Sequence, residues 1–168
     1  MKKKINIIGI DPGLDGAIAK ISSDMSVTII DTPTYIVEGA TKKKREYNIN
    51  EMISIIKEFA LPDCHVFLEK VHSMPGQGVA SMFSMGYGYG LWNAILSSLY
   101  IPYTLVLPQR WKKELLLGVG QGKNVSVYRA QQLFPETKLF GPKGGPMDGR
   151  GDALLIAEYG RRTLYGNN

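Results

Sequence analysis

Ile5 to Gly16 reads INIIGIDPGLDG, a short isoleucine-rich run that meets an acid, Asp11, and stops at Pro12-Gly13. Its length, β-branching and Gly/Pro boundary predict a buried strand. Side chains alternate along it, so Ile5, Ile7, Gly9 and Asp11 share one face while Asn6, Ile8 and Ile10 share the other. Asp11 is thereby a carboxylate carried to the exposed end of a central strand. Such a group stays ionised only beside positive charge. The rest of the chain has to supply that charge.

Working outward, Pro12 to Gly16 forms a turn, Ala17 to Ile21 a second strand and Val27 to Ile30 a third, together a short antiparallel meander. Glu38 to Glu46 (EGATKKKRE) is basic and aperiodic and is expected to be a mobile loop. Asn50 is placed to cap a helix with Met52, Ile53, Ile56 and Phe59 as its apolar stripe. Cys64 to Leu68 is a further buried strand, and it delivers Glu69 to its end. A long, largely apolar helix is expected over Val79 to Leu99. In it Gly86, Gly90 and Ala94 recur every four residues, a stripe suited to close packing on the chain's own sheet or on a second copy of the chain. Tyr103 to Leu107 is a fifth strand, and helices are expected over Gln109 to Leu116, Val125 to Phe134 and Asp148 to Leu164. With no repeat and no linker, residues 1–168 read as one α/β domain, a mixed sheet flanked by helices.

Composition narrows the function. The chain of 168 residues is 44% apolar and 21% charged, within the range of a globular protein, and buries roughly 70% of its unfolded surface. A net charge of +5 makes an acidic partner plausible. Cys64 is the single cysteine, which removes disulfides and cysteine clusters and suits a reducing cytoplasm. Ile5 to Ile10 is too short for a signal-peptide core or a membrane span.

Asp11 and Glu69 end two apolar strands, and Asp148 and Asp152 begin a helix on one face, about 6 Å of rise apart. Taken singly, Asp11 could close a turn, Glu69 could pair with Lys70 or Lys113, Asp148 could serve a helix start, and Asp152 could face solvent. Taken together, four converging carboxylates would repel one another unless cations lay among them. Oxygen donors without His or Cys suit Mg²⁺ or Mn²⁺, and a pair of such ions about 4 Å apart is the usual device for in-line phosphoryl displacement.

GIDPG at 9–13, FLEKV at 67–71 and DGRGDALLIAEYGRR at 148–162, in that order, resemble the RuvC-type Holliday junction resolvases, most of all the compact phage-type members. The resemblance runs through GLWNAIL, IPYTLVLPQRWKK and the Gly-rich segment to Lys123. It implies an RNase H-like α/β fold with a five-stranded mixed sheet, a homodimer, and metal-dependent paired nicking of four-way DNA junctions to 5′ phosphates and 3′ hydroxyls. Asp11, Glu69 and Asp152 take three metal-binding, catalytic places. The bacterial pattern puts an acid or histidine three residues before the last Asp, where this chain has Gly149. Asp148, one residue earlier, is the substitute, as in phage-type sequences reading DGRADAL.

The resemblance also carries DNA contacts. Lys113 or Lys112, with the register open by one, and Lys123 match lysines that hold DNA near the scissile phosphate, and Arg110 shares their basic helix. The bacterial aromatic that can wedge into the junction is replaced by His72, with Met74 another candidate wedge, while Lys42 to Arg45 could touch a DNA arm.

Other classes fit less well. GVGQGK at 118–123 fails the P-loop pattern at Leu117 and Asn124, and fails the dinucleotide fingerprint at Lys123, so no nucleotide cofactor is expected. An actin-like nucleotide-binding protein needs two such domains. A non-catalytic junction-binding protein leaves the clustered acids unexplained. An RNase H-like nuclease for flaps or forks would share the metal site, and only its substrates would set it apart.

Overall fold

The computed structural model describes residues 4–39, 43–73, 76–120 and 122–166. Asn6–Ile10 (β1), Ala17–Ile21 (β2) and Val27–Asp31 (β3) form the expected meander, with Ile10 opposite Ile18 and Ile18 opposite Ile30. Thr34–Glu38 (β4) and Lys43–Tyr47 (β5) pair as a separate antiparallel ribbon. The expected loop over Glu38 to Glu46 is therefore half of a ribbon, although Lys42 lies outside the described residues. Cross-strand pairs stabilise this ribbon in place of apolar alternation: Glu38 meets Lys43 at 3.2 Å, and Tyr35 donates to Glu46 at 3.4 Å.

Helix Ile49–Phe59 (α1) starts two residues earlier than expected. Asn48, not Asn50, is its cap, accepting from the Glu51 N–H while its amide donates back to the Glu51 carboxylate at 2.9 Å. The buried stripe is Met52, Ile55, Ile56 and Phe59, so Ile55 replaces Ile53. Cys64–Glu69 (β6) runs parallel to β1, Val79–Ser98 (α2) follows, and Tyr103–Val106 (β7) runs parallel to β6. Helices Pro108–Leu115 (α3), Val125–Leu133 (α4) and Asp148–Tyr165 (α5) complete the order.

The five-stranded sheet runs β3-β2-β1-β6-β7. β1 is its centre and is buried at every position, as a strand covered on both faces must be. Ile7, Phe67, Trp111 and the buried face of α5 form one core; Ile8, Ile10, Leu68, Trp92 and α1 form the other. α5 lies directly on β1 because Gly9 has no side chain: a Cβ there would overlap the backbone of Ala153 and Ala157. This is the mixed, helix-flanked sheet expected of an RNase H-like fold. No helix among the described residues is long and apolar enough to cross a membrane.

The glycine stripe of α2 has a different outcome from its own-sheet reading. Gly86, Gly90 and Ala94 face solvent, and nothing approaches the two glycines. The glycine that α2 packs inward is Gly88, against Pro12 and the Tyr47 hydroxyl. Phe83 and Tyr87 stack beside the open stripe, both exposed.

Candidate active site

Three elements bring Asp11, Glu69 and Asp152 to one end of the molecule. β1 and β6 are parallel neighbours with Ile10 opposite Leu68, so the residues that follow, Asp11 and Glu69, emerge side by side. α5 crosses β1 at Gly9, one residue along the helix from Asp152, which sets that carboxylate beside the same strand ends. All three are half-buried.

The electrostatics record their closeness. The Asp11 carboxyl is pushed up to about 7, first by burial and then by the charges of Glu69 and Asp152. Glu69 and Asp152 are also raised, again chiefly by burial; Asp152 repels Glu69, and Asp148 repels Asp152. The positive charge that all three feel is Lys112, exposed on α3 with its ammonium over the Trp111 ring. One exposed lysine does not neutralise three carboxylates.

The protein also holds each acid by a hydrogen bond. Oδ1 of Asp11 accepts from the Gly13 N–H at 3.3 Å, so the acid closes its turn as well as facing the cleft. Oε1 of Glu69 accepts from the buried indole N–H of Trp111 at 2.9 Å, in place of the lysine pairing open to it from sequence. Asp152 accepts from Ser126, the second residue of α4. Trp111 and Ser126 were not among the residues read from sequence. A tryptophan in a basic helix and a serine in a helix's first turn carry no pattern that marks them.

Asp148 stands apart. It is exposed at the start of α5, and it acts on Asp152 rather than on the other two acids. The Asn124 amide, with its nitrogen toward Asp148, donates to both carboxylate oxygens at 2.8 and 3.1 Å. Gly149 has a steric reason to be glycine: a Cβ at that position would overlap the carbonyl oxygen of Asp15. Among the described residues no group of three His, Cys, Asp or Glu side chains is gathered closely enough to hold an ion. The donor chemistry nonetheless fits a hard divalent cation. These are oxygen ligands only, brought to one end of the fold and raised chiefly by burial, with the charges of neighbouring acids second.

The basic residues divide. Lys112 is the member of the ambiguous pair that faces the carboxylates. Lys113 lines an open groove beside them with Lys70, His72 and Arg110. Lys123 is exposed in the loop before α4. Met74 lies outside the described residues.

No family model and no curated protein matches the sequence. Solved structures do match the fold. A Thermus thermophilus RuvC in complex with a Holliday junction substrate aligns over 97% of this chain and 98% of its own, with a TM-score of 0.58 at 11% identity. A second Thermus thermophilus RuvC structure aligns over 95% and 97%, with a TM-score of 0.55 at 12% identity. The chain folds as a RuvC-like, RNase H-type α/β protein.

Proposed function

We propose that this chain is a divalent-metal-dependent endonuclease that resolves four-way DNA junctions by paired symmetric nicks. The observation that carries the reading is the trio Asp11, Glu69 and Asp152, three mutually repelling carboxylates at the strand ends of a RuvC-like fold. A protein built to meet polyanionic DNA gains nothing from such repulsion unless cations join it.

In this role Asp11, Glu69 and Asp152, with Asp148 as the outlying fourth acid, hold Mg²⁺ or Mn²⁺, two ions per site. Ions held there supply Lewis-acid catalysis for in-line hydrolysis to a 5′ phosphate and a 3′ hydroxyl. Asp11, at the end of the central strand, would be the best candidate among them to hold such an ion. Trp111 and Ser126 fix the carboxylates they donate to. Lys112 draws the scissile phosphate toward the acids, while Arg110, Lys113 and Lys123 contact flanking phosphates, giving binding that weakens steeply with salt. His72, exposed beside that groove, is placed to stack on a junction base.

The test is a synthetic four-way junction beside duplex, flap and fork DNA with Mg²⁺ or Mn²⁺. The expected result is strong preference for the junction with symmetric nicks. Equal nicking of every substrate would sink the junction-resolvase reading while sparing that of an RNase H-like nuclease with this metal site.

Paired nicking needs two sites, and α2 offers the surface for a second copy. Its exposed Gly86, Gly90 and Ala94 leave a groove along an otherwise apolar helix face, flanked by Phe83 and Tyr87. Wild type is expected to sediment as a dimer at micromolar concentration, and Gly90→Arg as a monomer that retains its fold. A monomeric wild type, with and without junction, would remove the dimer from the proposal.

A further inference from the structure

The chain has two tryptophans, both fully buried, and they are used differently. Trp92 lies in the core beneath α1 and α2, and its indole N–H has no partner among the described residues. Trp111 lies in the core beneath α5, and its indole N–H points out of that core onto Oε1 of Glu69 at 2.9 Å. A buried indole held on all sides by packing is a rigid donor. Lys112, the cation common to the three acids, sits over the face of the same ring, 5.1 Å from its centre.

We propose that Trp111 is a positioning residue of the active site: its N–H fixes one oxygen of Glu69, and its ring carries Lys112 toward the carboxylates. One oxygen of Glu69 is thereby committed to the protein, and the other is presented to the cleft in a fixed direction. A carboxylate so held offers a ligand at reduced conformational cost, and loss of such a supporting hydrogen bond typically weakens metal binding or activity about 10–100-fold. The inference rests on the nuclease reading for the importance of Glu69, and on the observed hydrogen bond for the role of Trp111.

The experiment uses the full chain without DNA. Calorimetric titration with Mn²⁺ is expected to show binding about tenfold or more weaker in Trp111→Phe, which keeps an aromatic ring but lacks the N–H. Trp92→Phe serves as the control and should bind within about twofold of wild type, since its N–H serves no carboxylate. In cleavage assays Trp111→Phe should need more metal for half-maximal rate and recover at saturating metal. A merely structural defect would lower the rate at every metal concentration.

A fluorescence arm does not depend on Trp111→Phe folding. In the Trp92→Phe background Trp111 is the sole tryptophan, and its emission should change with Mg²⁺ over the concentration range of calorimetric binding. Equal Mn²⁺ affinity in Trp111→Phe and wild type would overturn the proposal, as would Trp111 emission indifferent to Mg²⁺ that calorimetry shows to be bound. Wild type that binds no divalent ion would instead sink the metal-nuclease reading, and this inference with it.

Discussion

Asp11→Asn is expected to lose junction cleavage by about a thousandfold or more, roughly 4 kcal/mol of barrier, while making the ion-free protein more stable above pH 7. The two effects share one cause. In the folded chain the Asp11 carboxyl is held at about 7, against an ordinary value of 3.8. Between those values the folded state keeps a proton that the unfolded chain has released. Stability of the ion-free protein therefore falls as pH rises from about 4 to 7 and levels off above. The loss is on the order of 3 kcal/mol, allowing for the partial exposure of the site. Glu69 and Asp152 are raised in the same direction and add to the slope. Asparagine at 11 carries no charge to bury, so Asp11→Asn should flatten much of it, and Mg²⁺ should stabilise wild type at pH 8 more than the variant. Denaturant melts across pH, with chelator and with Mg²⁺, measure this. A wild-type profile without slope would mean that the three acids are neither buried nor repelled as described. Asp148→Asn should also lose cleavage while still binding junctions; normal cleavage would take Asp148 out of the site.

Gly149→Asp, the change that restores the bacterial pattern's acid, is expected to cripple the protein instead of adding a ligand. Its Cβ would overlap the Asp15 carbonyl in the turn that follows Asp11, and backbone cannot rotate away as a side chain can. The cost should be roughly 3 kcal/mol or more, about 6–12 °C of melting temperature for a chain of this size. Gly149→Ala should suffer nearly as much, because the first carbon is what collides. A Gly149→Asp protein that melts like wild type and cleaves well would show that the turn can move aside. The glycine at 149, where the bacterial pattern has an acid, has its physical reason here. α5 enters closer to the Asp15 turn than a side chain at 149 allows, so on the proposed reading a fourth acid would have to come from a neighbouring position such as Asp148.

What could be read from the sequence was what repeats or terminates. β1, β2, β3 and β6 are marked by isoleucine and valine runs ending at turns; Asp11 and Glu69 stand out because each ends such a run, and Asp152 because it shares a helix face with Asp148. The β4–β5 ribbon was hidden because its pairing rests on Glu38–Lys43 and Tyr35–Glu46 contacts, which a chain read in one direction does not display. The glycines of α2 were visible as a stripe, but not its direction: Gly88, two residues off the stripe, is the one that packs on Pro12 and Tyr47. Asn50 reads as the cap because it precedes an apolar run; the reciprocal bonds with Glu51 make Asn48 the cap in the fold. Trp111 carries no local sign of its role. Its partner is 42 residues away, a distance that no local pattern spans.

Gly9 fixes more than the packing of one helix. Because α5 rests on β1 through main-chain atoms, the path from Asp11 to Asp152 contains two steps along a strand, one backbone contact and one step along a helix. Between the two Cα atoms no rotamer enters that path. In an engineer's terms the two Cα positions are referenced to a common datum, and the error between them is that of rigid backbone. A larger residue at position 9 would lift the helix from this datum and widen the site even in a protein that still folds.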